Sequence, residues 1–244
     1  SADWPTFAYV ETGREVIPAN SPEGLEHYTQ YITGGGVMIV AGDDVDPEAL
    51  LSAHDAVEYM TAARPEFRAI LQGYHVRISL FTETTDTLPE FQGTDEPGGF
   101  AMGMNDAAMT ANAEWVCYPG NNNRGGNTVI HELAHTLEHI VFEHENNTDF
   151  FSRIVPLALA AINEGSYGNY EQNLPEGTEQ DTSHLVGEYW AQVVEGYIMD
   201  GGYGFKNSHY SRDWIEANDP EVFDLMIEYF PTEKWDYVDA HCEG

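Results

Sequence analysis

The chain is poor in basic residues. Its 244 residues hold nine lysines and arginines, of which only Lys206 and Lys234 are lysine, against 42 aspartates and glutamates, for a formal net charge of -33. A surface of that balance repels phosphate backbones and anionic headgroups, which argues against nucleic acid and membranes as partners. Salt screens such repulsion, so a saline or extracellular setting suits it. Cysteine is scarce too: Cys117 and Cys242 are the only two. A bridge between them would tie the C-terminal tail to the body of a secreted protein, and two unrelated buried thiols are the alternative. No apolar run reaches the length of a membrane span, and the longest, from Ile154 to Ile162, contains Pro156. The chain opens at Ser1 with no basic-plus-apolar leader, which reads as a processed or trimmed start.

What is present suits a globular protein. Hydrophobic residues make up 42% and aromatic residues 12% of the chain, ample for a buried core. With no internal repeat and no clear linker, residues 1–244 read as a single α+β domain. Residues 1–115 form a mixed α/β part with a small sheet, and residues 116–244 a mainly helical part.

The first 36 residues are turn-rich, and Val37-Met-Ile-Val-Ala41 reads as a buried strand. Asp46 before Pro47 predicts a helix start, continued by Leu50, Ala53, Val57 and Met60 on one face and stopped at Arg64-Pro65. A short helix from Pro65 and a strand over 75–81 follow. Residues 82–112 look loop-like, and Glu114-Trp-Val-Cys-Tyr118 looks like a short strand. Later helices are predicted over 150–163, with Pro156 near the start, over 183–199 and over 220–230.

The densest chemical signal is His131-Glu-Leu-Ala-His135. On a helix, residues four apart lie one above the other, so both imidazoles can close on one ion. Glu132 beside them is placed to take a proton from a water activated by that ion. Leu133, Leu137 and Ile140 recur at helical spacing and would bury the opposite face, with Asn127 or Thr128 as the cap. Two ligands are too few, since catalytic zinc takes three protein ligands and keeps an open position. His139 continues the stripe, but in an α-helix it stands about 12 Å along the axis from His131. Glu138 fails similarly, and it occupies the position where a glycine would be needed to bend a later histidine back. The third ligand must come from elsewhere.

Gly187-Glu-Tyr-Trp-Ala-Gln192 lies on the helix over 183–199, with Glu188, Gln192 and Glu195 on one face. Together with His131-Glu-Leu-Ala-His135, this segment resembles the gluzincin-type zinc metallopeptidases, and more closely the anthrax-lethal-factor-like group, in which the ligand glutamate sits in a Glu-Tyr-Trp-Ala-type segment. The resemblance covers about residues 115–200. It implies a zincin-like fold with the zinc site on the central helix, a Zn2+ cofactor held by His131, His135 and Glu188, and Glu132 as general base. Related sites place a Tyr or His shortly before the ligand glutamate, which makes Tyr170, Tyr167 and His184 the candidates for stabilising the oxyanion. One departure is Gln192, where thermolysin-type sites usually carry an Asp that orients a histidine. A rival third ligand is Asp181, because Gly177-Thr-Glu-Gln-Asp181 resembles a displaced Gly-Thr-x-Asp segment of aspzincins.

These features predict a secreted, monomeric zinc endopeptidase acting on peptides or proteins. The competing classes are a zinc hydrolase of a non-peptide or cell-wall amide and a zinc-stabilised binding module. The second is disfavoured because Glu132 is present and a structural site would be closed by a fourth protein ligand.

Overall fold

The computed structural model describes residues 8–18, 25–101, 107–121, 126–167, 182–200 and 210–242. Six strands form one mixed sheet: β1 (Ile17–Pro18), β2 (Gln30–Gly34), β3 (Val37–Ala41), β4 (Arg77–Phe81), β5 (Gly99–Ala101) and β6 (Ala108–Asn112), in the order β1-β2-β3-β4-β6-β5. β3, β4 and β6 run parallel at the centre, while β1, β2 and β5 pair antiparallel towards the two edges. The β2–β3 hairpin turns on two residues, Gly35 at φ 56° and Gly36 at φ 82°. Positive φ at both central positions matches the strand twist, and glycine adopts it without a Cβ clash.

Alternation along the central strands sorts side chains to the two faces. In β3, Val37, Ile39 and Ala41 enter the larger core with the helices, whereas Met38 and Val40 join a smaller cluster with Tyr28, Phe81, Leu88 and Phe91. On that second face Arg77 pairs with Glu90, whose other oxygen accepts from the Tyr28 hydroxyl at 2.7 Å, so the buried guanidinium and carboxylate offset each other's charge.

The helices are α1 (Pro47–Met60), α2 (Glu66–Gly73), α3 (Thr128–Thr136), α4 (Thr148–Glu164), α5 (Thr182–Met199), α6 (Arg212–Asn218), α7 (Pro220–Tyr229) and α8 (Asp236–His241). Asp46 caps α1 by accepting from the Glu48 N–H at 2.9 Å, with Pro47 at the first helical position, as the sequence predicts. α3 runs without a break into a π-helical turn, Leu137–Phe142. Behind α3, Trp190 of α5 packs among Phe142, Phe150, Tyr229 and Phe230, and its indole N–H donates to Ala134 O at 2.9 Å. That bond ties α5 to α3 at Ala134, the residue before His135.

Several elements depart from the sequence expectation. Residues 82–112 are not one loop, because they hold two 3-10 turns and the strands β5 and β6. All five residues of β6, Ala-Met-Thr-Ala-Asn, are buried on both faces, which removes the alternation that would have marked a strand. Residues Ala113–Trp115 form a 3-10 turn rather than a strand. Pro156 sits inside α4 rather than near its start. α6 and α8 add to the predicted helices. The cysteines are bridged: Cys117, two residues after the 3-10 turn Ala113–Trp115, and Cys242, just after α8, form a disulfide with Cα atoms 5.4 Å apart.

Candidate metal centre

α3 begins where three contacts converge. Asn127 caps it, its Oδ1 accepting from Val129 N–H at 3.0 Å and Ile130 N–H at 3.4 Å. Thr128 Oγ donates to Asn112 O at the end of β6, at 3.0 Å. The Asn127 N–H donates to Glu195 Oε1 of α5 at 2.6 Å. The start of the motif helix is thus anchored to the sheet on one side and to α5 on the other.

Along that crossing the structure brings His131, His135 and Glu188 together, with one donor atom of each within 4.8 Å of the other two. His131 Nε2 lies 3.6 Å from Glu188 Oε2, and His135 Nε2 lies 3.5 Å from Glu188 Oε1. Two ligands about 2.1 Å from one zinc at tetrahedral angles stand roughly 3.4 Å apart, so this donor set fits a zinc ion, and imidazole with carboxylate is zinc's usual catalytic ligand chemistry. Gly187 lies at this close approach. A Cβ there would stand 3.2 Å from Glu138 Oε2 and 3.3 Å from His135 Nδ1, tighter than side chains ordinarily tolerate.

The outward-facing nitrogens also meet carboxylates. His131 Nδ1 lies 3.5 Å from Glu195 Oε2, and His135 Nδ1 lies 3.9 Å from Glu138 Oε2. At 3.5 Å the Glu195 carboxylate is close enough to orient the His131 ring, whereas Glu138 at 3.9 Å stands beyond hydrogen-bond length from His135. Sequence reasoning looked for this role at Gln192, four residues after Glu188. The carboxylate that faces His131 comes from Glu195, seven residues on. Its placement on the same helix face was the available signal.

Electrostatics follow from this crowding. Burial opposes charge on His131, but Glu188, Glu195 and Glu132 outweigh it and raise its pKa to about 10. For His135 burial is likewise overcome by Glu138 and Glu188, and its pKa rises to about 9. Burial disfavours the charged form of Glu188 too, yet the two histidines hold it well below the usual carboxylate range. Glu132, 8% exposed, shifts upward: burial is the main cause, and the charges of Glu188 and Glu195 add to it against the pull of the two histidines.

A cleft of about 1020 Å³ opens over the site. Glu132, His135 and Glu188 form part of its lining, β5 supplies one wall, and Ser183 and His184 stand at the first turn of α5. His184 is exposed there. Tyr167 is elsewhere: its hydroxyl donates to Asp219 at 3.1 Å and its ring packs against Tyr189, Tyr210 and Trp214, which makes it a core residue. Tyr170 and Asp181 lie outside the described residues.

Among the described residues no helix is long and apolar enough to cross a membrane. Neither a protein-family model nor a curated protein sequence matches the chain. Among solved structures it is similar to the Pro-Pro endopeptidase PPEP-2 from Paenibacillus alvei, at 16% identity and a TM-score of 0.46, covering 79% of this chain and 97% of that one. A likeness this distant carries no argument about activity.

Proposed function

We propose that this protein is a secreted zinc-dependent endopeptidase in which His131, His135 and Glu188 hold the ion and Glu132 is the general base. The observation that carries the reading is the convergence of two imidazole Nε2 atoms on one carboxylate in the lining of an open cleft, with a buried second carboxylate beside them. Three donors of this kind are the ligands of catalytic zinc and leave a coordination position free. When bound, zinc supplies Lewis acidity towards a carbonyl and lowers the pKa of a water to about 7.

The rest of the chemistry belongs to the chain. Glu132 sits between the two ligand histidines in sequence, and its raised proton affinity suits a base that takes a proton from the attacking water and returns it to the leaving amine. His184, on the cleft wall one turn before Glu188, donates to the carbonyl oxygen as negative charge develops there. β5 favours a peptide over a small amide. Among the described residues it ends the sheet, paired with β6 alone, and it lines the cleft, so an extended backbone can add to it as a further strand beside the metal position. The Cys117–Cys242 disulfide and the net charge support an extracellular location.

The test is digestion of a peptide library, repeated after chelation and after zinc is restored. Cleavage that stops with chelator and returns with zinc is expected. Cleavage that ignores chelator contradicts the reading, as does hydrolysis of small amides with every peptide left intact.

A further inference from the structure

His135 presents its two nitrogens to two different carboxylates. Nε2 faces Glu188 at 3.5 Å, and Nδ1 faces Glu138 at 3.9 Å. The Glu138 side chain is only 7% exposed, and its Oε2 is buried without a hydrogen-bond partner. A buried carboxylate oxygen left unmatched is costly, so a cation placed there would be stabilised. One turn beyond His135 stands His139. Its ring is nearly parallel to that of His135, at 11° with centroids 6.2 Å apart, and its side chain is 39% exposed. One donor atom each of His135, Glu138 and His139 lies within 4.8 Å of the other two. Glu138 and His139 are carried by the π-helical turn, a rare conformation that concentrates at functional sites.

We propose that His135, Glu138 and His139 form a second cation position, closer to solvent than the first and exclusive with it. The exclusivity follows from His135, so the inference rests on reading His135 as a ligand of the first position. A neutral imidazole has one lone pair. With an ion on Nε2, Nδ1 keeps its proton and turns it towards Glu138. With an ion on Nδ1, Nε2 keeps the proton and turns it towards Glu188. Two imidazoles and a carboxylate select zinc, cobalt, nickel or copper over magnesium or calcium. The outer position is the weaker one, because His139 is half in solvent whereas both histidines of the first position are more enclosed. The intact protein therefore holds one ion per chain, and the outer position fills when the inner one is broken.

The experiment is equilibrium dialysis of metal-free protein against cobalt(II), with the metal content read directly. The intact chain should saturate at one ion. Glu188→Ala should still take up one ion, at least about tenfold more weakly, and adding His139→Ala should weaken that uptake by about tenfold again. Glu138→Gln in the Glu188→Ala background should act like His139→Ala, and it covers the case in which one double variant folds poorly. The outer position is ruled out if Glu188→Ala takes up no cobalt, or if neither second substitution changes its uptake. Two ions on the intact chain would overturn the exclusivity. A single tight ion on the intact chain together with no uptake by Glu188→Ala removes the outer position and leaves the inner one standing.

Discussion

The carboxylate of Glu195 stands 3.5 Å from Nδ1 of His131 and also accepts the backbone N–H of Asn127 at the start of the same helix. One side chain of α5 therefore fixes both where α3 begins and how its first histidine is turned. Glu195→Gln keeps an oxygen for Asn127 but removes the charge facing His131. Metal affinity should fall by about 10–100-fold, read by competition with a coloured chelator. An unchanged affinity would mean that His131 is oriented by something else.

Gly187 has a packing role that its neighbours define. In Gly187→Ala the new Cβ presses on the Glu138 and His135 side chains, which must give by a few tenths of an ångström. The expected cost is about 1–3 kcal/mol of stability, visible as a lower melting temperature, together with weaker metal binding. If the alanine variant melts and binds metal like the parent, the close approach of the two helices is not required.

Metal binding should be linked to protons. In the metal-free protein His131 and His135 hold their protons up to pH values of about 10 and 9. Below those values an incoming ion must displace them, so affinity rises with pH and falls with acid. At pH 7 about two protons should leave for each ion bound. Titration calorimetry in buffers of different ionisation enthalpy counts them, and binding without proton release would contradict these pKa values.

The disulfide closes a long loop, with Cys117 and Cys242 separated by 125 positions. Constraining so long a loop in the unfolded chain is worth roughly 5 kcal/mol in the chain-entropy picture. Denaturant unfolding with and without reductant should show a loss of that order. Equal midpoints would show that the bridge adds nothing to stability.

Much of this architecture was legible in the residues. Asp46-Pro47 marked the start of α1, and the histidine motif marked its own helix, because caps and 3.6-residue spacing are local properties. β6 was hidden because a strand buried on both faces by Ala, Met, Thr and Asn shows no period-2 pattern. The shortness of Gly99–Ala101 concealed β5. The facing carboxylates were hidden for another reason. Glu195 and Glu138 are named in the sequence, but their reach to the imidazoles depends on how closely α5 crosses α3. That distance is set by Gly187 and by the Trp190 bond to Ala134, which no periodicity encodes.

The central claim is that Glu188 holds the ion while Glu132 moves the proton. Zinc content after exhaustive dialysis, measured on Glu188→Ala and Glu132→Gln alongside the parent and paired with peptide turnover, tests it most directly. The account predicts one zinc per chain in the parent and in Glu132→Gln, zinc held at least about tenfold more weakly and depleted by dialysis in Glu188→Ala, and turnover in the parent alone. Glu132→Gln emerging without zinc, or Glu188→Ala keeping zinc as tightly as the parent, would contradict it.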